Sequence, residues 1–309
     1  MSLDYKLYYN NKYTEAEYAF DTTRKSKYIA ETLGYEQITN PALMVPQAHE
    51  YIARSISPQY HGDLQNGGPL ASSNGFKWDR GIWEMAVNST AGVLSAVESA
   101  LKDGISGSLS SGLHHADYHS GSGFCTVNGL VVAAKYMTSI HGIGRHIVVL
   151  DFDAHNGGGT VNSLRTLYLD ENVDQYDLST NLFDEYVQDD THTITIATND
   201  EDYLNSVDVI LETMGTPDLV LYNAGTDPYP TISHETLRER DYNVFEHCLS
   251  SEIPVAFVLA GGYTWSQDMD SLVDSHLNTI AMAQVALDEV NAGKVQSISC
   301  RIVTGKLTA

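Results

Sequence analysis

Basic side chains are scarce in this 309-residue chain, which has 17 lysines and arginines against 40 aspartates and glutamates. The formal net charge is therefore −23 at pH 7. A surface of this charge repels the phosphates of nucleic acids and anionic lipids, so we expect neither a nucleic acid nor a membrane as partner. It attracts cationic ligands such as polyamines and lysine side chains, although an acidic surface also serves solubility alone.

Cysteine is equally rare, with three residues far apart in the chain, Cys125, Cys248 and Cys300. They are too few and too scattered for a disulfide framework or a cysteine-rich zinc site. This usage is typical of a reducing compartment, so the sequence predicts a cytoplasmic protein. Long apolar runs are also missing, since none approaches the roughly 18 residues that a membrane-spanning helix needs.

Short apolar runs without polar alternation dominate the second half of the chain. Such runs are typical of strands that are buried on both faces, as in a parallel sheet covered by helices. We see no linker and no internal repeat, so we predict a single α/β domain over residues 1–309, with a doubly wound, mostly parallel sheet flanked by helices. The four runs are HIVVLDF, HTITIAT, DLVLYNAG and PVAFVLAGG.

Helical spacing of apolar residues is clearest over residues 81–103, with Gly104 as a plausible C-cap, and over residues 127–140. The N-terminal 60 residues are predicted to be mainly helical. Glycine, asparagine and serine are frequent in residues 61–75 and 104–112, which are predicted to be loops. Further helices are expected near residues 202–214, 235–250 and 270–291.

Three polar side chains, Asp151, Asp153 and His155, follow the first apolar run at a spacing of two. On an extended chain they point to one face, where burial is costly unless they share a cation or pair with each other. A mixed Asp and His set suits zinc or ferrous iron. Asp227 ends another predicted strand and is the natural third ligand, because ligands bind at this edge of such sheets. The alternative is that an aspartate caps the next helix and His155 lies on the surface.

Other residues near the strand ends or in glycine-rich loops could complete a hydrolytic site. His114 and His115 could move protons, although tandem histidines in loops are often merely solvated. Tyr263 follows an apolar strand and could donate a hydrogen bond to an oxyanion, although it is one of 19 tyrosines. Together with a metal that activates water, these groups would hydrolyse an amide.

Glycine beside these aromatic residues would let a slim substrate approach. Gly262 precedes Tyr263 and could bring the backbone close to the ligand. Gly123 precedes Phe124, which could form an aromatic wall or could simply pack in the core. We therefore include all three residues, Gly123, Phe124 and Gly262, as candidate substrate contacts.

Four segments together resemble the histone deacetylase superfamily, which includes deacetylase-like and acetylpolyamine amidohydrolase proteins. They are GLHHADYHSGSGFCTVN (112–128), LDFDAHNGGGT (150–160), YNAGTD (222–227) and LAGGYT (259–264). The resemblance runs from about residue 76 to residue 290, and DAH and YNAGTD are similar to the smaller class IV-type branch. It implies that Asp153, His155 and Asp227 bind zinc, or ferrous iron as in some relatives, and that potassium binds near the strand of Asp151.

The resemblance also implies roles for the remaining site residues. His115 would be the acid and base, His114 its electrostatic partner, and Asp151 the group that orients His114. Tyr263 would polarise the scissile carbonyl, and residues 123–124 would line the channel for an acyl-lysine-like chain.

Three departures from the family pattern are visible. The family usually has a second histidine after the ligand histidine and an aspartate or asparagine three residues after it, where this chain has Asn156 and Gly158. The hydrogen-bond partner that the family provides for His115 at this position is therefore missing, which would lower the basicity of His115 unless another group substitutes. The segment after Asp227 is shorter than in most relatives, which predicts a reduced rim. Residues 176–191 lack an obvious aromatic-glycine tunnel wall, which predicts a wider pocket or a longer acyl group.

The predicted function is a metal-dependent amidohydrolase that removes an acetyl or other acyl group from an amine such as acyl-lysine or an acylpolyamine. One alternative is a catalytically weak or inactive binder of the same ligands, favoured by Gly158. Another is a hydrolase of a small non-protein amide. A binuclear, arginase-like site is not supported, since no second aspartate follows His155 or Asp227 at the required spacing. The oligomeric state is not predicted.

Overall fold

A computed structural model of the chain describes residues 2–140 and 146–305, and side chains up to residue 293. Met1 and the side chain of Cys300 lie outside this range. The strands are β1 Lys6–Tyr8, β2 Ile38–Thr39, β3 Ile105–Ser108, β4 Ile147–Phe152, β5 Val173–Ser179, β6 His192–Ile196, β7 Leu219–Gly225 and β8 Val255–Ala260. The α-helices are α1 Lys25–Leu33, α2 Val45–Ser55, α3 Pro58–Asn66, α4 Arg80–Asp103, α5 Gly129–Ile140, α6 Gly158–Thr166, α7 Asp200–Thr213, α8 His234–Ser250 and α9 Met269–Gly305.

The strands form one sheet in the order β2-β1-β3-β8-β7-β4-β5-β6, and every pair of neighbours is parallel. All four predicted apolar runs are strands of this sheet. The predicted α/β class and the parallel, doubly wound sheet are confirmed.

Two hydrophobic layers cover the two faces of the sheet. Side chains of β4 alternate between them, because successive residues of a strand point to opposite faces. Ile147 and Val149 pack with residues of α2, α4 and α5. Val148 and Leu150 pack with residues of α7, α8 and α9 on the other face. This double burial explains why the strand lacks polar alternation.

The predicted loop at residues 104–112 is wrong, because it contains the buried strand β3. Serine and glycine occupy most of β3 because the neighbouring strands β1 and β8 lie close to it. A Cβ at Gly107 would overlap the ring of Phe257 on β8, and the Ser106 hydroxyl donates to the Lys6 carbonyl on β1. The prediction that Gly104 ends the preceding helix is confirmed, since its N–H donates to Ala100 and its φ is 89°.

Three other boundaries differ from the sequence predictions. The N-terminal 60 residues contain strands β1 and β2 as well as helices, and α3 covers part of the predicted loop at 61–75. Strand β5 was not predicted, because Gln175 and Asp177 make it look polar although both are buried. Across the part of the chain that is described, no helix has both the length and the apolar character needed to span a bilayer.

We expect Gly107→Ala to destabilise the fold, because the added methyl group would overlap the Phe257 ring, which also packs against Tyr5 and Phe245. Overpacking of this kind costs about 1–3 kcal/mol in the free energy of unfolding. Urea denaturation measures it. Gly62→Ala is the control, since nothing lies within 4 Å of its added carbon and alanine favours a helix. Equal stability of both variants would contradict the close β3–β8 approach.

Candidate active site

The strands β8, β7 and β4 are neighbours in the sheet, so their carboxyl ends lie side by side. Each end is followed by polar groups that turn toward one site. Asp153 and His155 follow β4, Asp227 follows β7, and Tyr263 follows β8. His114 and His115 reach the same site from the segment between β3 and α5. The structure thus brings together the predicted metal-binding and catalytic side chains.

Two carboxylates and one imidazole converge at the centre of the site. Nδ1 of His155 lies 3.1 Å from Oδ1 of Asp153 and 3.2 Å from Oδ2 of Asp227. One ligand atom from each of the three residues lies within 4.8 Å of the others. Although burial disfavours the imidazolium, the two carboxylates raise the pKa of His155 to about 10. Positive charge is therefore favoured between these two carboxylates.

The geometry of Asp227 fits a metal ligand. Its side chain is 4% exposed, and its Oδ2 atom accepts no well-formed hydrogen bond from the described residues. A buried carboxylate oxygen without such a partner is costly unless a cation binds it. Oδ1 of Asp227 accepts a hydrogen bond from the Ala154 N–H at 3.2 Å, which leaves Oδ2 for the cation.

Close backbone approach makes this arrangement possible. Gly261 has φ of 59°, and a Cβ there would overlap the carboxylate of Asp227 and lie 2.8 Å from Oδ2 of Asp153. From the other side, the buried guanidinium of Arg240 donates through Nη1 to the carbonyls of Phe152 at 3.0 Å and Gly225 at 2.7 Å. Arg240 therefore joins the ends of β4 and β7, which carry the carboxylates.

His114 is the inner member of the histidine pair. Its Nδ1 donates to Oδ2 of Asp151 at 2.8 Å, and Oδ1 of Asp151 accepts from the Asn223 amide at 2.7 Å. Its Nε2 lies 3.6 Å from Oδ1 of Asp153. Burial opposes a charge on His114, but the carboxylates of Asp151 and Asp153 outweigh it and raise its pKa to about 10.

Gly158 offers His115 no side-chain partner, as expected from the sequence, but another group substitutes for it. Nδ1 of His115 donates to Oδ2 of Asp184 at 2.8 Å. Asp184 follows β5 and belongs to the segment at 176–191, so it is distant in sequence from the family position that Gly158 occupies, although the two residues are in contact in the fold. Burial lowers the pKa of His115, the adjacent His114 charge lowers it further, and the hydrogen bond to Asp184 opposes both. The rings of His114 and His115 are 4.0 Å apart, centroid to centroid.

Aromatic side chains form the walls of the site. Phe124 stands edge-on to Phe20 at 4.7 Å between ring centroids. Phe183, from the segment predicted to lack a tunnel wall, is perpendicular to the rings of His115 at 5.0 Å and His155 at 5.6 Å. The segment has no aromatic-glycine pair, as predicted, but the Phe183 ring still supplies an aromatic wall. Nothing in the sequence distinguishes Phe183 from Tyr176 and Tyr186 of the same segment.

Glycines fit tightly around this wall. A Cβ at Gly123, whose φ is 50°, would overlap the ring of His115. Gly123 therefore lets the loop lie against that histidine. Gly262 lies behind the site, where Thr226 and Leu272 fill the space that a side chain would occupy. It does not line either cavity described below.

Two cavities meet at these residues. An inner one of about 110 Å³ reaches from Tyr263 and His115 to Lys25 and Thr22, and an outer one of about 510 Å³ is open to solvent. His115, Gly123, Phe124 and Tyr263 line both of them. The outer cavity is also lined by residues 229–231, from the segment that was predicted to form a reduced rim.

Lys25 is a buried cation of the inner cavity that sequence reasoning missed. Its Nζ donates to the Gly261 carbonyl. Burial lowers the pKa of Lys25 to about 8, while the charges of Asp227 and Asp153 oppose the shift. Sequence gave no signal because a lysine in the polar helix α1 is ordinarily exposed.

The family comparison agrees with this geometry. Residues 48–280 match the family model described as the histone deacetylase domain. The chain belongs to the histone deacetylase family. Membership supports a hydrolytic deacetylase activity in general terms, and members of the family are generally metal-dependent.

Relatives come from distant organisms. An uncharacterized protein of Picosynechococcus is 27% identical over 220 residues, which cover 65% of this chain and 70% of that protein. Histone deacetylase 2 of Arabidopsis thaliana is 26% identical over 256 residues, 77% of this chain and 64% of that protein. A probable deacetylase of Methanothermobacter thermautotrophicus is 42% identical over 73 residues, 23% of this chain and 22% of that protein.

Asp227→Asn is expected to weaken zinc binding by more than the roughly 10–100-fold that loss of a ligand's hydrogen-bond partner costs. The amide removes the charge from the oxygen that faces His155, with little change in shape. Titration calorimetry with zinc alone measures the affinity. Asp208→Asn, at an exposed position of α7, is the matched control and should bind zinc like the parent. Unchanged affinity in Asp227→Asn would exclude this residue as a ligand.

Proposed function

We propose that this chain is a metal-dependent amidohydrolase that removes an acetyl or other acyl group from an amine such as acyl-lysine or an acylpolyamine. The observation that carries the proposal is the meeting of three groups at two connected cavities. These are the Asp153, His155 and Asp227 set, the histidine pair and the Tyr263 hydroxyl. Amide hydrolysis needs an activated water, a proton carrier and an oxyanion donor, and each group supplies one of them.

The residues present fit a zinc ion. Asp153, His155 and Asp227 would hold it through two oxygens and one nitrogen, a mixed donor set that zinc and ferrous iron both accept. Such an ion lowers the pKa of a bound water to about 7 and polarises a carbonyl. Potassium beside β4 is a further part of the proposal, and it rests on the family resemblance alone.

The histidines divide the proton work. Nδ1 of His115 donates to Asp184. Nε2 of His115 is therefore free to take a proton from the attacking water and to pass it to the departing amine. His114 donates its Nδ1 proton in a hydrogen bond to Asp151 and acts as the electrostatic partner of His115. A neutral His115 suits the base role, because burial and the neighbouring His114 charge lower its pKa.

Tyr263 would donate to the carbonyl oxygen as negative charge develops there. Burial raises the pKa of its hydroxyl well above the ordinary value, and the charges of Asp227 and Asp153 raise it further. The hydroxyl therefore keeps its proton and remains a donor throughout the reaction. The ring of Trp265 stacks on Tyr263 at 4.1 Å and 10° and limits its rotation.

The substrate is proposed to enter between Phe124 and Phe183, whose rings suit a slim alkyl chain. The charge of −23 favours an amine that carries a positive charge elsewhere. A cytoplasmic location and one catalytic domain over residues 1–309 belong to the same proposal. The alternative of an inactive binder depended on His115 having no hydrogen-bond partner. Asp184 provides that partner, so this reason for the alternative no longer holds.

The decisive experiment is acetate release from a panel of acetyl-lysine peptides and acetylated polyamines. Metal-stripped protein is reconstituted with zinc or with ferrous iron and compared with Asp227→Asn. Metal-dependent release from the parent alone is expected, and the preferred substrate identifies the amine. If the metal is bound but neither acetyl nor longer acyl substrates are cleaved, the hydrolase proposal is wrong. Tight binding of acyl-lysine without release would then favour the binder.

Tyr263→Phe should lower kcat on the best substrate by about 10²–10³, the usual effect of losing one oxyanion donor. Zinc affinity should not change, because the hydroxyl is not part of the ligand set. Steady-state kinetics and zinc titration measure the two effects. Tyr242→Phe removes a hydroxyl that bonds Glu289 outside the site and serves as the control. Full activity in Tyr263→Phe would rule out the assigned role.

A further inference from the structure

We infer that Asp184 is the positioning residue for His115 and that the two departures from the family pattern, Asn156 and Gly158, exist to accommodate the segment that carries it. This inference rests on the proposed function, since it concerns the histidine that would move the protons. It assigns a role to a residue outside the motifs of the family resemblance.

Contacts of one carboxylate oxygen fix the orientation of His115. Oδ2 of Asp184 accepts from Nδ1 of His115 at 2.8 Å and from the N–H of Gly159 at 3.2 Å. A carboxylate only accepts hydrogen bonds, so the proton of a neutral His115 resides on Nδ1. Nε2 is then left as the unprotonated nitrogen. Asp184 thus selects the tautomer that can act as a base.

Gly158 provides the space for this contact. A Cβ at position 158 would overlap both the backbone carbonyl and the carboxylate of Asp184. The carbonyl belongs to the backbone and cannot rotate away like the end of a side chain. The side chain of an aspartate or asparagine at position 158, as in the family pattern, would therefore be incompatible with the present path of the Asp184 segment.

Asn156 holds the same segment in place. Its backbone N–H and its Nδ2 both donate to the Phe183 carbonyl, at 3.0 and 3.1 Å. The Asn181 amide donates in turn to the Ala154 carbonyl at 2.9 Å. Asp184 has a φ of 62°, a left-handed conformation that a non-glycine residue adopts at a cost and that local contacts must maintain. These bonds tie the carboxylate to the strand that carries the metal ligands.

The first test separates turnover from binding. Asp184→Ala should lower kcat by about 10–100-fold, as loss of an orienting partner typically does, and should leave KM and zinc affinity near the parent values. Asp184→Asn should show a smaller decrease in kcat, because its amide oxygen can still accept a hydrogen bond from Nδ1 of His115. Glu185→Ala, at the exposed neighbouring position, is the control and should behave like the parent. An unchanged kcat in Asp184→Ala would overturn the inference.

The second test uses Gly158. Gly158→Ala should push the Asp184 segment away and reproduce the kcat loss of Asp184→Ala. The double variant should then lose little more than either single variant, because both remove one interaction. Gly62→Ala is the matched glycine control. If the double variant shows the product of the two fold-losses in kcat, Gly158 and Asp184 act independently. The proposed link between these two positions would then be wrong.

A third readout does not depend on turnover. Long-range ¹H–¹⁵N spectra of histidine-labelled protein, with zinc and without it, report which ring nitrogen of His115 is protonated, and His115→Gln identifies its signals. We expect Nδ1–H in the parent and in Glu185→Ala, and its loss in Asp184→Ala. A parent with Nε2–H would overturn the inference. A parent that shows Nδ1–H but cleaves no substrate would support the positioning role and refute the proposed function instead.

Discussion

Burial of two carboxylates beside one imidazole is the constraint on which the rest of this site depends. Asp153 and Asp227 would repel each other and lose hydration, at a cost of several kcal/mol per ion, unless positive charge is supplied. His155 lies between them, His114 lies against Asp153, and the Lys25 ammonium is buried nearby. A divalent cation supplies the same compensation more compactly, which is why this arrangement and a metal belong together.

Backbone geometry makes that concentration of charge possible. The parallel strands β4 and β7 deliver their carboxylates to one edge, and the buried Arg240 joins the two strand ends through their carbonyls. Gly261 lets the turn after β8 approach both carboxylates. Because Arg240 donates to these carbonyls and not to the carboxylates of Asp153 and Asp227, the oxygens of those two carboxylates remain available to a cation while the two strand ends are held together.

Sequence predicts those parts of the molecule that repeat a regular pattern. Strands β4, β7 and β8 were recognisable because both faces are apolar, and the residues at their ends could be placed at one edge by topology alone. Strand β3 was not, since its serines and glycine are set by the closeness of Phe257, a neighbour far away in sequence. Asp184 and Lys25 were missed for the same reason: their roles depend on segments that meet only in the folded chain.

Phe183 and Asp184 are adjacent in sequence but differ in role. The ring of Phe183 forms a wall of the outer cavity, and the carboxylate of Asp184 orients His115. The shape of the outer cavity and the orientation of His115 therefore both depend on the same short piece of backbone. A change that moves this piece of backbone therefore alters the wall of the outer cavity and the hydrogen bond to His115 at the same time.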